Sequence, residues 1–331
     1  MSDLWSALAG DVSCPAVAAS GERRLALIAR GPRGELLHRQ RDAEAWTDFR
    51  SLGVPVARGG ASDLPVDWRI AACATAEDEI QLVARSPEGE LLHGTVRSGA
   101  FRGFECIGTP EGPGVEVAVP MGLAGAPTAC SREPGQMDVF AVGPAGELLH
   151  TSWSGSAFSE LESLGGLAAP RGADLPICGA ISAAACGSSA MAVFARGTAG
   201  ELLVKWWNAG VWAPFVPVRS PEEADPALRF VEVPLPLTSA PVACGGGRTR
   251  LDVFARGPAG DLLRRIWNGT AWTRAESLGM PRSTAGKPIP LTGFSLACAW
   301  GRWRLDVFAT AADGKLYNAS SNGSWSAPAS T

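Results

Sequence analysis

The sequence predicts an all-β protein, a six-bladed β-propeller with four antiparallel strands per blade. One observation behind this is a motif that occurs six times among the 331 residues, most clearly from Leu251 to Leu263. Six glycines anchor the copies, at intervals of 55, 57, 54, 60 and 54 residues: Gly34, Gly89, Gly146, Gly200, Gly260 and Gly314. Repeats of this length are typical of propellers, solenoids and other arrays.

The second observation is the pattern within each repeat, where apolar residues alternate and turn residues interrupt them at short intervals, as expected for strands. In the fifth copy we predict strand A at Ser239–Cys244, strand B at Leu251–Arg256, strand C at Asp261–Trp267 and strand D at Ala271–Thr273. The pair Asn268-Gly269 predicts a tight turn with positive φ at both residues. Strand D carries an aromatic residue in every copy: Trp46, Phe101, Phe158, Trp212, Trp272 and Trp325.

A single four-stranded sheet exposes both of its faces, and stacking against its neighbours around an axis buries them. Six such repeats account for nearly the whole chain, so we predict a single domain over residues 1–331. Two segments qualify as the strand D of the last blade, Leu4–Ser6 and Ser324–Ser326. Either one of them is surplus, or both share the seam.

The composition agrees with a globular protein, at 46% hydrophobic and 19% charged residues and a net charge of −4. No basic stripe is present, so nucleic acids and anionic membranes are not expected partners. The N-terminus lacks the positive start and apolar run of a secretory signal, which predicts a cytoplasmic location. The oligomeric state stays open.

Five of the eight cysteines occupy one position of the repeat. They lie seven residues before strand B, or five in the fourth copy: Cys73, Cys130, Cys186, Cys244 and Cys298. This predicts a small buried residue that remains a thiol. Because no CxxC pair or close Cys/His cluster is present, no metal is expected, and no cofactor-binding motif is found.

The runs Ala297–Phe308 and Leu148–Trp153 resemble the repeats of the PLL-type bacterial lectins, which carry a similar pattern of Trp-Gly, Leu-Asp-Val-Phe and Leu-Trp-His. The resemblance covers essentially every repeat. It implies a propeller with shallow carbohydrate-binding sites between adjacent blades, commonly for fucosylated or O-methylated glycans.

The candidate ligand-binding residues are the tryptophans that end strand C in blades three to five, Trp153, Trp207 and Trp267. The other blades have Arg41, Val96 and Ser321 at this position. Sugars stack their C–H faces on indole rings, and arginines donate hydrogen bonds to hydroxyl groups. We therefore expect sugar sites in blades three to five, with Arg196 and Arg256 as donors.

A single-site cytosolic enzyme or small-molecule-binding protein is the alternative, with its pocket on the loop face or in the central channel. No nucleophile elbow, phosphate loop or HExxH helix is present, so the sequence leans against an enzyme without deciding the matter. The candidate catalytic residues are Asp67, Glu147, His150 and Asp174. Glu147 lacks the arginine found in most other repeats, and Asp174 begins an Asp-Leu-Pro phrase that also occurs at Asp63. A protein-interaction scaffold is a third reading.

Overall fold

The computed structural model describes residues 5–7, 13–20, 24–42, 45–56, 66–108, 122–167, 176–177, 179–224, 236–245, 249–300, 304–322 and 325–326. These residues form six antiparallel sheets, one for each repeat. The chain divides into two compact units, residues 11–181 and residues 1–10 with 182–331. Each unit holds three of the sheets, which we number as blades 1 to 6 in chain order.

The unit of residues 11–181 contains blades 1 to 3. Within each blade, the strands mostly pair in the order in which they occur along the chain. After β1 (Trp5–Ala7), which belongs to the other unit, the strands of blade 1 are β2 (Ser13–Ser20), β3 (Arg24–Arg30), β4 (Leu36–Asp42), β5 (Ala45–Trp46) and β6 (Arg50–Gly53), those of blade 2 are β7 (Asp67–Ala76), β8 (Glu79–Arg85), β9 (Leu91–Arg97) and β10 (Ala100–Gly108), and those of blade 3 are β11 (Thr128–Cys130), β12 (Met137–Val142), β13 (Leu148–Trp153) and β14 (Glu162–Ser163).

The other unit contains blades 4 to 6 and one short helix. Its strands are β15 (Ser182–Ala185), β16 (Ala190–Arg196), β17 (Leu202–Asn208), β18 (Val211–Trp212) and β19 (Val216–Pro217) in blade 4, β20 (Val242–Gly245), β21 (Leu251–Arg256), β22 (Leu262–Trp267) and β23 (Glu276–Ser277) in blade 5, and β24 (Leu291–Trp300), β25 (Arg304–Ala311), β26 (Leu316–Asn322) and β27 (Trp325–Ser326) in blade 6, with helix α1 (Pro221–Ala224) after blade 4.

In blade 5, strand B lies at the predicted residues and strand C begins one residue later, at Leu262. Strand D is divided into two pieces in every blade except blade 2, where β10 is continuous. In blade 5, Trp272 makes a single bridge to Trp267, and the outer strand resumes only at β23, which pairs with the start of β22. Between the two pieces, the amide of Ile266 donates a hydrogen bond to the Thr273 hydroxyl, 3.0 Å away, in place of a backbone carbonyl. The hydroxyl thus replaces a backbone carbonyl as the acceptor of one interstrand hydrogen bond, which permits a local bulge in the strand.

Both candidate segments complete blade 6. β27 pairs with Ser320 and Ser321 of β26, while β1 pairs with residues 317–319 of the same strand. The N-terminal strand therefore supplies the second piece of strand D, the place that β23 occupies in blade 5. Of the two readings of the seam, the structure shows that the segments share it.

The turn at Asn268-Gly269 differs from the prediction. Gly269 has a positive φ of 101°, whereas Asn268 is not among the described residues with positive φ. Asn268 instead uses its side-chain oxygen to accept hydrogen bonds from the amides of Thr270 and Ala271, at 3.0 and 2.9 Å. Two consecutive positive φ values occur at Ser98-Gly99 and Ala209-Gly210, so the turn expected for Asn-Gly is made by other residues.

Consecutive blades within a unit pack face to face through apolar side chains. One core cluster joins Ile28 of blade 1 to Leu82 of blade 2, and similar clusters join blades 2 and 3, 4 and 5, and 5 and 6. Small residues of strand A, such as Ala184 and Ala243, belong to these clusters and let neighbouring sheets approach closely. The apolar faces that each repeat leaves exposed are buried in this way.

The cysteines at the shared repeat position are buried thiols, as predicted: Cys73, Cys130, Cys186, Cys244 and Cys298. Cys106, outside this position, is an exposed thiol. Burial, followed by the negative charge of Asp138, raises the pKa of the Cys73 thiol to about 12. This thiol is therefore almost entirely protonated at neutral pH and is a poor nucleophile.

We expect iodoacetamide at pH 8 to alkylate Cys106 in the native protein and to leave Cys73 unmodified, because only the thiolate reacts and only Cys106 is accessible. Peptide mapping by mass spectrometry after a timed reaction measures this. In denaturant both residues should react at similar rates. Rapid native labelling of Cys73 would contradict the buried position, and a disulfide would contradict both the thiol prediction and the predicted cytoplasmic location.

Candidate functional site

A row of polar side chains crosses strands B, C and D in several blades. In blade 3, Nε2 of His150 lies 3.0 Å from Oδ1 of Asp138, and its Nδ1 lies 2.8 Å from Oε1 of Glu162. We call this arrangement the polar row. The same repeat positions carry Gln81, His93 and Glu105 in blade 2, Asp252, Arg264 and Glu276 in blade 5, and Asp306 and Asn318 in blade 6.

Each complete row runs from a buried residue to a carboxylate that is at least partly exposed. The side chain of Asp138 is 2% exposed, whereas that of Glu162 is 59% exposed. Burial raises the pKa of Asp138, but hydrogen bonds from His150 and Arg132 outweigh it, so the pKa lies below its ordinary value. The inner carboxylate stays ionised at neutral pH, and the row presents its outer carboxylate to solvent as a hydrogen-bond acceptor.

In blade 5 an arginine takes the place of the histidine. Nε of Arg264 donates to Oδ1 of Asp252 at 2.8 Å, and its Nη1 donates to Oε1 of Glu276 at 2.9 Å. Arg250 holds the other oxygen of Asp252, at 2.8 Å. These charge-assisted bonds fix the guanidinium in one orientation between two carboxylates.

Aromatic rings of the following blade lie against two of these rows. The His93 ring centroid is 5.3 Å from that of Trp153 and 5.1 Å from that of Phe158, both in blade 3. In the other unit, Arg264 lies 5.2 Å from the ring centroid of Trp325 in blade 6. The junctions between blades 2 and 3 and between blades 5 and 6 thus combine aromatic surface with a polar row.

Blades 1 and 4 depart from this pattern. In blade 4 the three positions are apolar, with Ala192, Val204 and Val216. The adjoining junction with blade 5 instead contains indoles in mutual contact, with Trp267 at centroid distances of 5.3 Å from Trp206 and 5.5 Å from Trp272. The blades therefore present chemically different junctions.

The predicted ligand-binding tryptophans Trp153, Trp207 and Trp267 are all partly buried at the end of strand C. The structure does not bring Arg196 or Arg256 to them, because Arg256 pairs with Leu262 while Trp267 lies five residues further along the strand, about 16 Å away. These arginines bind the crossover into the next blade: Arg196 donates to the carbonyl of Leu237 at 2.6 Å, and Arg256 donates to that of Thr292 at 2.7 Å. A ligand-binding role for the five residues stays a prediction.

Of the two predicted catalytic residues whose side chains the structure describes, His150 lies in a polar row and Glu147 does not. The Glu147 carboxylate packs so closely against Gly143 that a Cβ there would lie 2.1 Å from Oε1, and Glu201 packs on Gly197 in the same way, so this position serves the B–C turn. Asp67 lies in β7, opposite Arg85. Asp174 lies outside the described residues. Catalysis by any of the four stays a prediction.

The partners of His150 were not predicted, although the sequence carries a signal for them. Asp138, Asp252 and Asp306 each lie at the second or third position of a buried strand, where an ionised side chain is costly unless it is paired. Over the described ranges, no three His, Cys, Asp or Glu residues are arranged to hold a metal ion. No helix in the part of the chain that the structure describes is long and apolar enough to cross a membrane.

Comparison with solved structures finds similar folds among lectins. The fucose-specific lectin from Aleuria aurantia is 16% identical to this chain, the similarity covers 96% of each, and the TM-score is 0.61. AofleA from Arthrobotrys oligospora is 15% identical, over 97% of this chain and 87% of that one, with a TM-score of 0.63. The lectin BP39L from Burkholderia pseudomallei is 18% identical, over 96% of this chain and 99% of that one, with a TM-score of 0.58.

The Aleuria aurantia lectin is described as a six-bladed β-propeller. The similarity extends over nearly the whole chain, so this protein is an all-β six-bladed β-propeller with mostly four antiparallel strands per blade, and the predicted fold class is confirmed. At these low identities the similarity establishes the fold alone. No protein-family model matches the sequence, and no curated protein matches it either.

Proposed function

We propose that this protein binds carbohydrates at junctions between adjacent blades. The junction of blades 2 and 3 carries the proposal, because the partly exposed rings of Trp153 and Phe158 adjoin a polar row there. A pyranose needs an aromatic surface for its C–H face and fixed polar groups for its hydroxyls. Glu105, whose side chain is 34% exposed, supplies the polar group, and the buried His93, bonded to Gln81 and Glu105, fixes its orientation.

Fucosylated glycans are the ligand class that we propose. Structures of a mutant of the Aleuria aurantia lectin are described in complex with Fucα1-6GlcNAc and with α-methyl-L-fucoside, and a structure of the SapL1 lectin with α-methyl fucoside. C6 of fucose is a methyl group instead of a hydroxymethyl group, which suits the apolar rings beside the polar row. The resemblance of the repeats to PLL-type lectins supports O-methylated sugars as the second ligand class to test.

The proposal predicts more than one site per chain. The junction of blades 5 and 6 presents the same combination, with Glu276 at the solvent end of its row and Trp325 on the next blade. The two sites differ in the middle residue of the row, His93 in one and Arg264 in the other. We expect them to bind the same sugar with different affinities.

Calorimetric titration with methyl α-L-fucoside tests the proposal. We expect a stoichiometry above one, and in Glu105→Gln we expect one site to weaken by roughly tenfold, because a charged acceptor of sugar hydroxyls is lost. Glu160→Gln is the matched control, since Glu160 is an exposed acid on the outer segment of blade 3 outside the row. Equal binding by both variants and the wild type would contradict the site, and the absence of saturable binding to fucosides and O-methylated glycosides would contradict the function.

A further inference from the structure

A cavity of about 300 Å³ lies between blades 4 and 5, in the unit of residues 182–331. Its walls are mostly apolar and include Leu202 and Val218 of blade 4 and Leu263 and Ala275 of blade 5. Its charged lining residues are Arg219, Arg264, Arg265 and Glu201, and the Glu201 carboxylate accepts a hydrogen bond from the Ala199 amide at 2.9 Å. The volume is at the lower end of the range of small-molecule sites.

The cavity arises where one large side chain of the repeat is missing. The residue just before the second piece of strand D is Phe49, Phe104, Leu161 and Phe215 in blades 1 to 4, and the register of β1 places Trp5 there in blade 6. Phe104 and Phe215 are buried, so this side chain normally fills space against strand C. Blade 5 has Ala275, which is exposed.

Leu202 is also less buried than its equivalents because this large side chain is missing. The first leucine of strand C is at most 1% exposed at Leu36, Leu91, Leu148 and Leu262, whereas the equivalent Leu202 is partly exposed. Leu202 lines the cavity from the blade 4 side. The space is therefore accessible apolar surface that the other repeats bury.

The cationic side chain of Arg265, beside the cavity, indicates that the cavity suits an aromatic ring. In blade 1 the guanidinium of Arg39 lies 4.9 Å from the ring centroid of Phe49, and in blade 4 the ammonium of Lys205 lies 5.5 Å from that of Phe215. Arg265 occupies the same repeat position in blade 5 and donates to the carbonyl of Thr273 at 2.9 Å. Position 275 is alanine, so blade 5 lacks the ring that Phe49 and Phe215 place beside the cation of their own blades, and cations favour the faces of aromatic rings.

We propose that this cavity binds a small aromatic carboxylate. Its ring takes the place of the phenyl group that Ala275 lacks, between Leu202 and Leu263 and beside Arg265. Its carboxylate points towards the exposed Arg219, whose guanidinium donates hydrogen bonds to it. Arg264 lines both this cavity and the row at the junction of blades 5 and 6, whereas the sugar site at the junction of blades 2 and 3 shares no residue with the cavity. The proposal does not depend on carbohydrate binding.

Titration with 2-naphthoate, followed by calorimetry and by tryptophan fluorescence, tests the proposal. We expect saturable binding by the wild type and a loss of roughly tenfold to a hundredfold in Ala275→Phe, because the introduced ring occupies the site. Ala275→Leu, which restores the residue type found at Leu161, should also weaken binding and serves as a second variant. Ala312→Phe, at an exposed turn of blade 6, is the matched control and should bind as the wild type does.

The carboxylate is tested with 2-naphthamide, which should bind the wild type more weakly than 2-naphthoate, and Arg219→Gln should remove this difference. Thermal unfolding establishes that each variant is folded, and Ala275→Phe should have a Tm at or above that of the wild type. Undiminished binding of 2-naphthoate by both Ala275 variants, or no saturable binding by the wild type, would overturn the proposal. Fucoside titration of Ala275→Phe separates this result from the carbohydrate proposal, because its fucoside binding should be unchanged.

Discussion

Replacing Trp272 with alanine is expected to lower the free energy of unfolding by about 3–5 kcal/mol. The side chain is 7% exposed and lies at the centre of an aromatic cluster between blades 4 and 5. Its ring centroid is 5.5 Å from that of Trp267, 5.8 Å from that of Phe194 and 6.4 Å from that of Trp206. Removing the indole leaves a void that these rigid neighbours cannot fill.

Urea unfolding followed by far-ultraviolet circular dichroism measures this loss. Trp212→Ala is the matched control, because Trp212 occupies the same repeat position in blade 4 but is only partly buried. We expect a clearly smaller loss for this control. Equal losses for the two variants would contradict the burial of Trp272 between blades.

Asp252→Ala is expected to cost about 3–5 kcal/mol of stability as well, for an electrostatic reason. Asp252 is fully buried and receives hydrogen bonds from Arg264 and Arg250. The side chain of Arg264 is only 8% exposed, so the variant leaves this buried guanidinium without its inner carboxylate partner. Glu276, which is half exposed, compensates only in part.

A double variant separates the charge effect from the loss of packing. Asp252→Leu with Arg264→Met replaces the buried pair with apolar side chains, and we expect it to be more stable than Asp252→Ala. Asp78→Ala is the surface control, since its pair with Arg24 is exposed and such pairs contribute about 0–1 kcal/mol. Equal effects of Asp252→Ala and Asp78→Ala in the same urea assay would contradict a buried, stabilising row.

Strands B and C could be predicted closely from the sequence because their signals are local. The alternation of Leu251, Val253 and Ala255 and the turn at Gly260 define the hairpin without knowledge of any other blade. The division of strand D depends on the Thr273 hydroxyl replacing a carbonyl across the strand, which residue type alone does not reveal. The prediction of a positive φ at Asn268 was wrong for a related reason. The Asn268 side chain accepts hydrogen bonds from the turn amides, and the residue does not adopt a positive φ.

The candidate sites were harder to predict because they depend on cross-strand register and on neighbouring blades. Asp138, His150 and Glu162 are 12 residues apart along the chain, and only the pairing of three strands brings them together. Trp267 and Arg256 belong to one hairpin, yet the register places them at opposite ends. The cavity at Ala275 exists because this repeat lacks a large side chain that the other repeats have, and this difference is found only by comparing the six repeats.

A crystal structure of the protein with methyl α-L-fucoside tests carbohydrate binding at the blade junctions most directly. The account predicts a sugar at the junction of blades 2 and 3, with one face on the rings of Trp153 and Phe158 and a hydroxyl bonded to Glu105. It predicts a second sugar beside Trp325 and Glu276. Sugar density on the crossover loops with both junctions empty, in crystals whose packing leaves the junctions open, would contradict it.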